Sequence, residues 1–128
     1  MIHKLLLAGV GGFIGSAARY ALGVGTGRIA AALMFPIATL LVNVIGSLII
    51  GAFLAFTLTR DTLTDEARVF VVVGILGGFT TFSSFSMDTL LLWREAGGVR
   101  AAMNVLLNVA TCLLAVWIGD ALGRSFAR

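Results

Sequence analysis

Charge is scarce in this sequence. Only 12% of its 128 residues are Asp, Glu, Lys or Arg, against about 25% in an average soluble domain. Cysteine and histidine occur once each, as Cys112 and His3. No disulfide can close within one chain, and a zinc or iron site built from side chains lacks its ligands. The nine Lys and Arg never stand next to one another, so there is no basic stripe to follow a nucleic-acid backbone. Acidic residues are rarer still, six in all, with none between Met1 and Thr59. These scarcities exclude a soluble enzyme, a disordered tail and a nucleic-acid-binding module.

What is abundant is apolar. Hydrophobic residues make up 59% of the chain, and mean hydropathy is +1.07. The composition is that of an integral, multi-pass membrane protein with one domain, residues 1–128, nearly all of it membrane span. Charge-free stretches cover residues 5–18, 29–59, 69–87 and 101–119. A helix needs about 20 residues to cross a hydrocarbon core of about 30 Å. The fold class expected is therefore all-α, with four transmembrane helices over residues 2–22, 36–58, 66–93 and 99–122. Lys4 followed by LLLAGVGGFIG imitates a signal peptide, but the rest of the chain is equally hydrophobic, so a first membrane helix is the better reading. GVGTGR is expected to be a connection, and Pro36 suits the first turn of the second helix. Thr64, Asp65 and Glu66 suit the cap and positive N-terminal end of the third.

Four spans place Lys4, Arg60, Arg68, Arg124 and Arg128 on one side and Arg19, Arg28, Arg94 and Arg100 on the other. Orientation follows an excess of Lys and Arg on the inner side, and this division is nearly even. The chain is therefore expected to insert in both orientations and to assemble as an antiparallel homodimer. That would reproduce, with two chains, the inverted repeats of larger transporters. GxxxG spacings at Gly11/Gly15, Gly74/Gly78 and Gly119/Gly123 favour close helix packing without naming the partner.

The third span differs from the others. Its centre reads GILGGFTTFSSFSMD. Gly74, Gly77 and Gly78 weaken helix, and five hydroxyls (Thr80, Thr81, Ser83, Ser84 and Ser86) then surround Phe82 and Phe85. A break near residues 77–81 is expected. Freed backbone groups are tolerated in a membrane only inside protein or beside a water-filled cavity. Such broken helices form ion sites, with N-terminal ends for anions and exposed carbonyls for cations. Phe82 and Phe85 share a helix face, and the positive edges of their rings can touch an anion. Ordinary packing is the competing reading for the pair.

Other polar residues lie at depth. Asn43 is within the second helix, and Asn104, Asn108 and Thr111 share one face of the fourth. They serve either as interhelical hydrogen-bond glue or as the lining of a water-filled path. Arg19 either snorkels to the interface or lines a vestibule that concentrates anions. Proton-coupled transport needs a titratable carboxylate at depth. Asp88 and Asp120 stand toward helix ends, which favours passive conduction.

GGFTTFSSFS, VNVIGS and GGFIGSAARY, in their order along the chain, resemble the motifs of the Fluc (CrcB) fluoride channels. The resemblance covers the whole chain and implies a passive, fluoride-selective, antiparallel homodimer with two pores. Such a channel sits in the cell inner membrane or plasma membrane and lets fluoride leave the cytoplasm, lowering its toxicity. By the same resemblance Phe82 and Phe85 face the ion path, Asn43 helps to bind fluoride, Ser83, Ser84 and Ser86 form a hydroxyl track, and Arg19 lines the vestibule; Asn108 is counted with the pathway from its place on the polar stripe of the fourth helix. It also implies a structural Na⁺ at the dimer interface, held by the carbonyls of Gly77 and Thr80. Three positions depart from the family pattern: Ser84 for threonine, Asp88 for glutamate, and Cys112 for serine. The alternative class is a small multidrug-type proton-coupled antiporter, which needs a glutamate in the first span that this chain lacks.

Overall fold

The computed structural model describes residues 1–127. Arg128, counted among the charges above, lies outside them. The described chain is all-helical. The elements are α1 (Ile2–Leu33), α2 (Ile37–Thr59), a short α3 (Asp65–Ala67), a π-helical segment (Arg68–Leu76), α4 (Gly77–Phe79), α5 (Phe82–Ala96) and α6 (Gly98–Ala127). They make four helices long and apolar enough to cross a membrane, the third being Asp65–Ala96.

The first helix corrects an expectation. It does not end at Leu22; GVGTGR is helical, and α1 continues to Leu33. A glycine in a helix costs about 1 kcal/mol, whereas a backbone group left unpaired at membrane depth costs several. Thr26 turns its hydroxyl back onto Leu22 O at 2.8 Å and so leaves nothing polar unpaired. The helix ends at Met34, in the left-handed conformation at φ 47°, ψ 46°. Pro36 follows directly before α2. At 32 residues α1 is about 48 Å long, more than the roughly 30 Å of a hydrocarbon core.

Polar contacts at the ends fix which termini lie together. Lys4 Nζ donates to Asp65 at 2.9 Å, and His3 lies 3.4 Å from Glu66. Arg60 Nε donates to Ala127 O at 3.1 Å. The N-terminus, the α2–α3 loop and the end of α6 therefore share one end of the bundle. At the other end Arg100 donates to Met34 O at 3.3 Å, joining the first and third connections.

Lipid offers no hydrophobic drive between helices, so close backbone approach must hold them. Two glycine seams supply it. In the first, α1 lies against the π-helical segment and α4. A Cβ on Gly11 would stand 2.5 Å from Phe70 O, and one on Gly78 2.6 Å from Gly12 O. In the second, α2 lies against α6, where a Cβ on Gly51, Gly119 or Gly123 would meet Val116 O, Leu48 O or Ala52 O. The GxxxG pairs thus find partners within the chain. Large apolar side chains such as Phe13, Leu106 and Trp117 point outward.

The third span is interrupted. Its first half turns as a π-helix up to Leu76, a wide winding uncommon beyond a single turn. After α4 the chain leaves the helix at Thr80 (φ −77°, ψ 158°) and Thr81 (φ −153°, ψ 114°), both extended. It then restarts as α5.

Candidate ion pathway at the helix break

An unbroken helix would give the Thr81 N–H to Gly77 O. Here that N–H donates to Asn43 Oδ1 at 2.9 Å. The same amide returns Nδ2 to Thr81 O at 3.2 Å. Asn43, from α2, therefore replaces the acceptor that the Thr81 N–H loses and adds a bond to Thr81 O, which as the N-cap carbonyl already accepts the first bond of α5, so the buried break leaves no donor of Thr81 unpaired. Gly77 O is released from its helical bond. Thr80 O accepts from Arg19 Nη1 at 3.3 Å, so α1 supplies a cation to the same break.

The second half of the span starts cleanly. Thr81 is the N-cap of α5, its hydroxyl accepting from Ser84 N at 3.1 Å. The first N–H groups of α5 have no intrahelical acceptor, and they carry the positive end of the helix dipole. That end opens on a groove of about 510 Å³ lined by Asn43, Ser47, Gly77, Thr80, Phe85 and Asn108 among others. Phe82 also lines it, its ring centroid 5.3 Å from that of Phe85 with the planes at 53°. The pair is tilted, neither stacked nor perpendicular. Phe85 is buried, whereas Phe82 is 78% exposed.

The groove therefore gathers Asn43, Phe82, Phe85 and Asn108, together with Gly77 and Thr80. The three serines stand apart from its lining. Ser83 and Ser84 lie on the exposed first turn of α5, with their hydroxyls 3.2 and 3.0 Å from that of Thr81. Ser86 donates back to Phe82 O at 2.9 Å. Arg19 is half-buried and reaches the break through Thr80 O.

The polar face of α6 is part of a longer chain of bonds. Asn43 Nδ2 donates to Asn108 Oδ1 at 3.2 Å, and Asn108 Nδ2 donates to Asn104 O and Oδ1, both at 3.1 Å. Asn104 Nδ2 donates to Thr89 Oγ1 at 2.9 Å, and Thr89 donates to Phe85 O at 2.7 Å. Thr111 does not join; its hydroxyl bonds Leu107 O on its own helix. Sequence reading missed Thr89 and the capping role of Thr81, although Thr-x-x-Ser at residues 81–84 has N-cap spacing. It also missed Thr39, which donates to Asp88 Oδ2 at 2.6 Å. Among the described residues, no cluster of three or more His, Cys, Asp and Glu side chains could hold a metal.

Comparison with known proteins shows the family. Residues 6–120 match the family model described as CrcB-like protein, Camphor Resistance (CrcB). The chain is 44% identical over 119 residues to the fluoride-specific ion channel FluC of Elusimicrobium minutum, covering 93% of this chain and 92% of that one. It is 46% identical over 118 residues to the FluC of Rhodospirillum rubrum, covering 89% of each. The FluC of Ruminiclostridium cellulolyticum is 36% identical over 124 residues, covering 97% of this chain and 95% of its own length.

Proposed function

From the premise that this chain belongs to the CrcB family, whose relatives named above are fluoride-specific ion channels, we propose that it is a multi-pass membrane channel. It conducts fluoride passively and lets the ion leave the cytoplasm. One observation carries the reading: the positive end of α5, the Asn43 amide and the Phe82–Phe85 pair meet in one groove at the break of the third span.

Fluoride is small and tightly hydrated, so losing water is its main barrier. A selective pore must replace that water at several weak sites, so that the ion both enters and leaves. Asn43 Nδ2, the first N–H groups of α5 and the ring edges of Phe82 and Phe85 are such sites. Each is a donor or a partial positive charge, and none is a full charge that would trap the ion. Ser83 and Ser84 extend the hydroxyls along the first turn of α5, and Ser86 joins them only by giving up its bond to Phe82 O. Arg19 holds a positive potential at the break. Asn108 sets the other side of the groove.

The working unit is an antiparallel homodimer. Lys and Arg are nearly balanced between the two ends, which favours insertion both ways. Phe82, 78% exposed in one chain, cannot wall a conduit until a second copy covers it. The residues at the break also suit a structural Na⁺ at the dimer interface. Gly77 O is freed of its helical bond, unwound carbonyls are the usual membrane ligands for such an ion, and a carbonyl oxygen has two lone pairs, so Thr80 O can serve beside Arg19. Gly77 and Thr80 of both copies would hold the ion, and it would fix the two breaks against each other.

A proton-coupled antiporter is the competing class. Its substrate climbs a gradient at the expense of protons, which requires a titratable group at the site. The groove contains no carboxylate, and Asp88 is held by Thr39 outside it. The test is efflux from proteoliposomes loaded with fluoride, followed by an ion-selective electrode. Fluoride should leave down its own gradient and stop at equilibrium, with or without a pH gradient. Uphill movement driven by protons would establish the antiporter instead.

A further inference from the structure

Three amides and one hydroxyl link the start of α5 to its second turn through two other helices, and apart from the return bond of Asn43 to Thr81 O the bonds run one way. The backbone at the two ends leaves no choice of direction. Thr81 N–H can only donate, so Asn43 must present Oδ1 to it. Asn43 Nδ2 is then left for Asn108, which must answer with Oδ1. Asn108 Nδ2 is left for Asn104, whose backbone carbonyl can only accept. The Asn104 side chain accepts from the same nitrogen and passes its own Nδ2 to Thr89 Oγ1. Thr89 closes the chain on Phe85 O.

Resting on the channel reading above, we propose that Asn104 and Thr89 are positioning residues for conduction. Neither lines the groove. Asn104 is fully buried, at 0% exposure. Together they pin Asn108 with its oxygen, not its NH₂, toward Asn43. The consequence is specific. Both Nδ2 hydrogens of Asn43 are already committed, one to Thr81 O and one to Asn108 Oδ1. An anion at Asn43 must therefore displace a protein acceptor, and of the two, Asn108 Oδ1 is the side-chain oxygen that can turn away, whereas Thr81 O is fixed backbone. Asn108 is an internal competitor for the ion. It keeps the site weak, as a conducting site must be. Releasing Asn108 would let its NH₂ turn into the groove as an additional donor. The ion would then be held longer and pass more slowly.

The test uses the full channel and two readouts. Thr89→Val removes the hydroxyl at nearly constant shape, Asn104→Leu removes the amide, and Thr89→Ser keeps a hydroxyl at the same place. In proteoliposomes, fluoride efflux through Thr89→Val and Asn104→Leu should fall by roughly tenfold, the equivalent of one buried hydrogen bond. Thr89→Ser should stay within about twofold of the parent on the same scale. In parallel, ¹⁵N spectra of detergent-solubilised channel should show the side-chain NH₂ signals of Asn108 and Asn43 displaced in Thr89→Val and restored in Thr89→Ser. A packing role alone would leave the Asn43 signal in place. An unmoved Asn43 signal in Thr89→Val overturns the proposal whatever the flux does. Parental flux through both disrupted variants overturns it too. A parent that carries no fluoride would instead overturn the channel reading.

Discussion

Asn43 does two things with one amide. It replaces the acceptor that the N–H of an unwound Thr81 forfeits, and it presents its nitrogen to the groove. Its substitution should therefore damage structure and conduction together. Asn43→Leu leaves the buried Thr81 N–H unpaired, at about 1–3 kcal/mol, and should lower both folded yield and flux. The phenylalanines behave differently. Within one chain Phe82 is exposed and Phe85 buried, so Phe82→Ile should perturb the fold of the chain less than Phe85→Ile, which costs about 1 kcal/mol. Both should cut fluoride efflux, because a branched aliphatic chain has no ring edge to offer an anion. Unchanged efflux in both variants would remove the rings from the mechanism. The Phe pair was legible in the sequence because its i, i+3 spacing is local. The Asn43–Thr81 clamp was not, since its partners lie 38 positions apart and only packing of α2 against the break brings them together.

Helices in this chain are held by glycine where they touch and tolerate glycine where they do not. Gly15 meets the backbone of Ile75, and Gly119 that of Leu48, so neither can accept a methyl group without moving a helix. Gly15→Ala and Gly119→Ala should each reduce the monodisperse fraction in detergent and the melting temperature by several degrees. Gly25, in α1, has no neighbour within 4 Å. Gly25→Ala should raise the melting temperature slightly, since alanine favours helix by about 1 kcal/mol. A loss of stability there would mean that GVGTGR is not helical in the bilayer. The same segment shows why the sequence misled. Three glycines in six residues mark a turn in water, where a broken backbone finds hydrogen bonds. In a membrane the backbone has no such partner, and the helix wins. The break of the third span was legible for the converse reason: glycines there are followed by hydroxyls that can satisfy what unwinding frees. The π-helical winding of Arg68–Leu76 left no comparable mark, for it concerns how wide the turns are and not which residues they contain.

Across the whole molecule, Lys and Arg are nearly balanced between the two ends, and the proposed pair of oppositely inserted copies rests on that balance. Adding two lysines to the α2–α3 loop should bias every copy one way. Such a variant should conduct little when expressed alone. It should recover when co-expressed with a second variant carrying its lysines in the connection between α5 and α6. Full conduction by either variant alone would exclude an antiparallel working unit. The four spans were legible because hydrophobic length is a property of the chain itself. The grouping of α1 with the first half of the third span, and of α2 with α6, was legible only as glycine spacings without named partners. Nothing in one helix specifies which other helix its seam will meet.

Selectivity tests the central claim most directly. Proteoliposomes loaded with equal fluoride and chloride should release fluoride rapidly and retain chloride over the same interval, because chloride is too large to approach Asn43, the α5 N–H groups and the ring edges at once. Release of both halides at similar rates would contradict the account. It would mean that the break of the third span serves only to fold the chain.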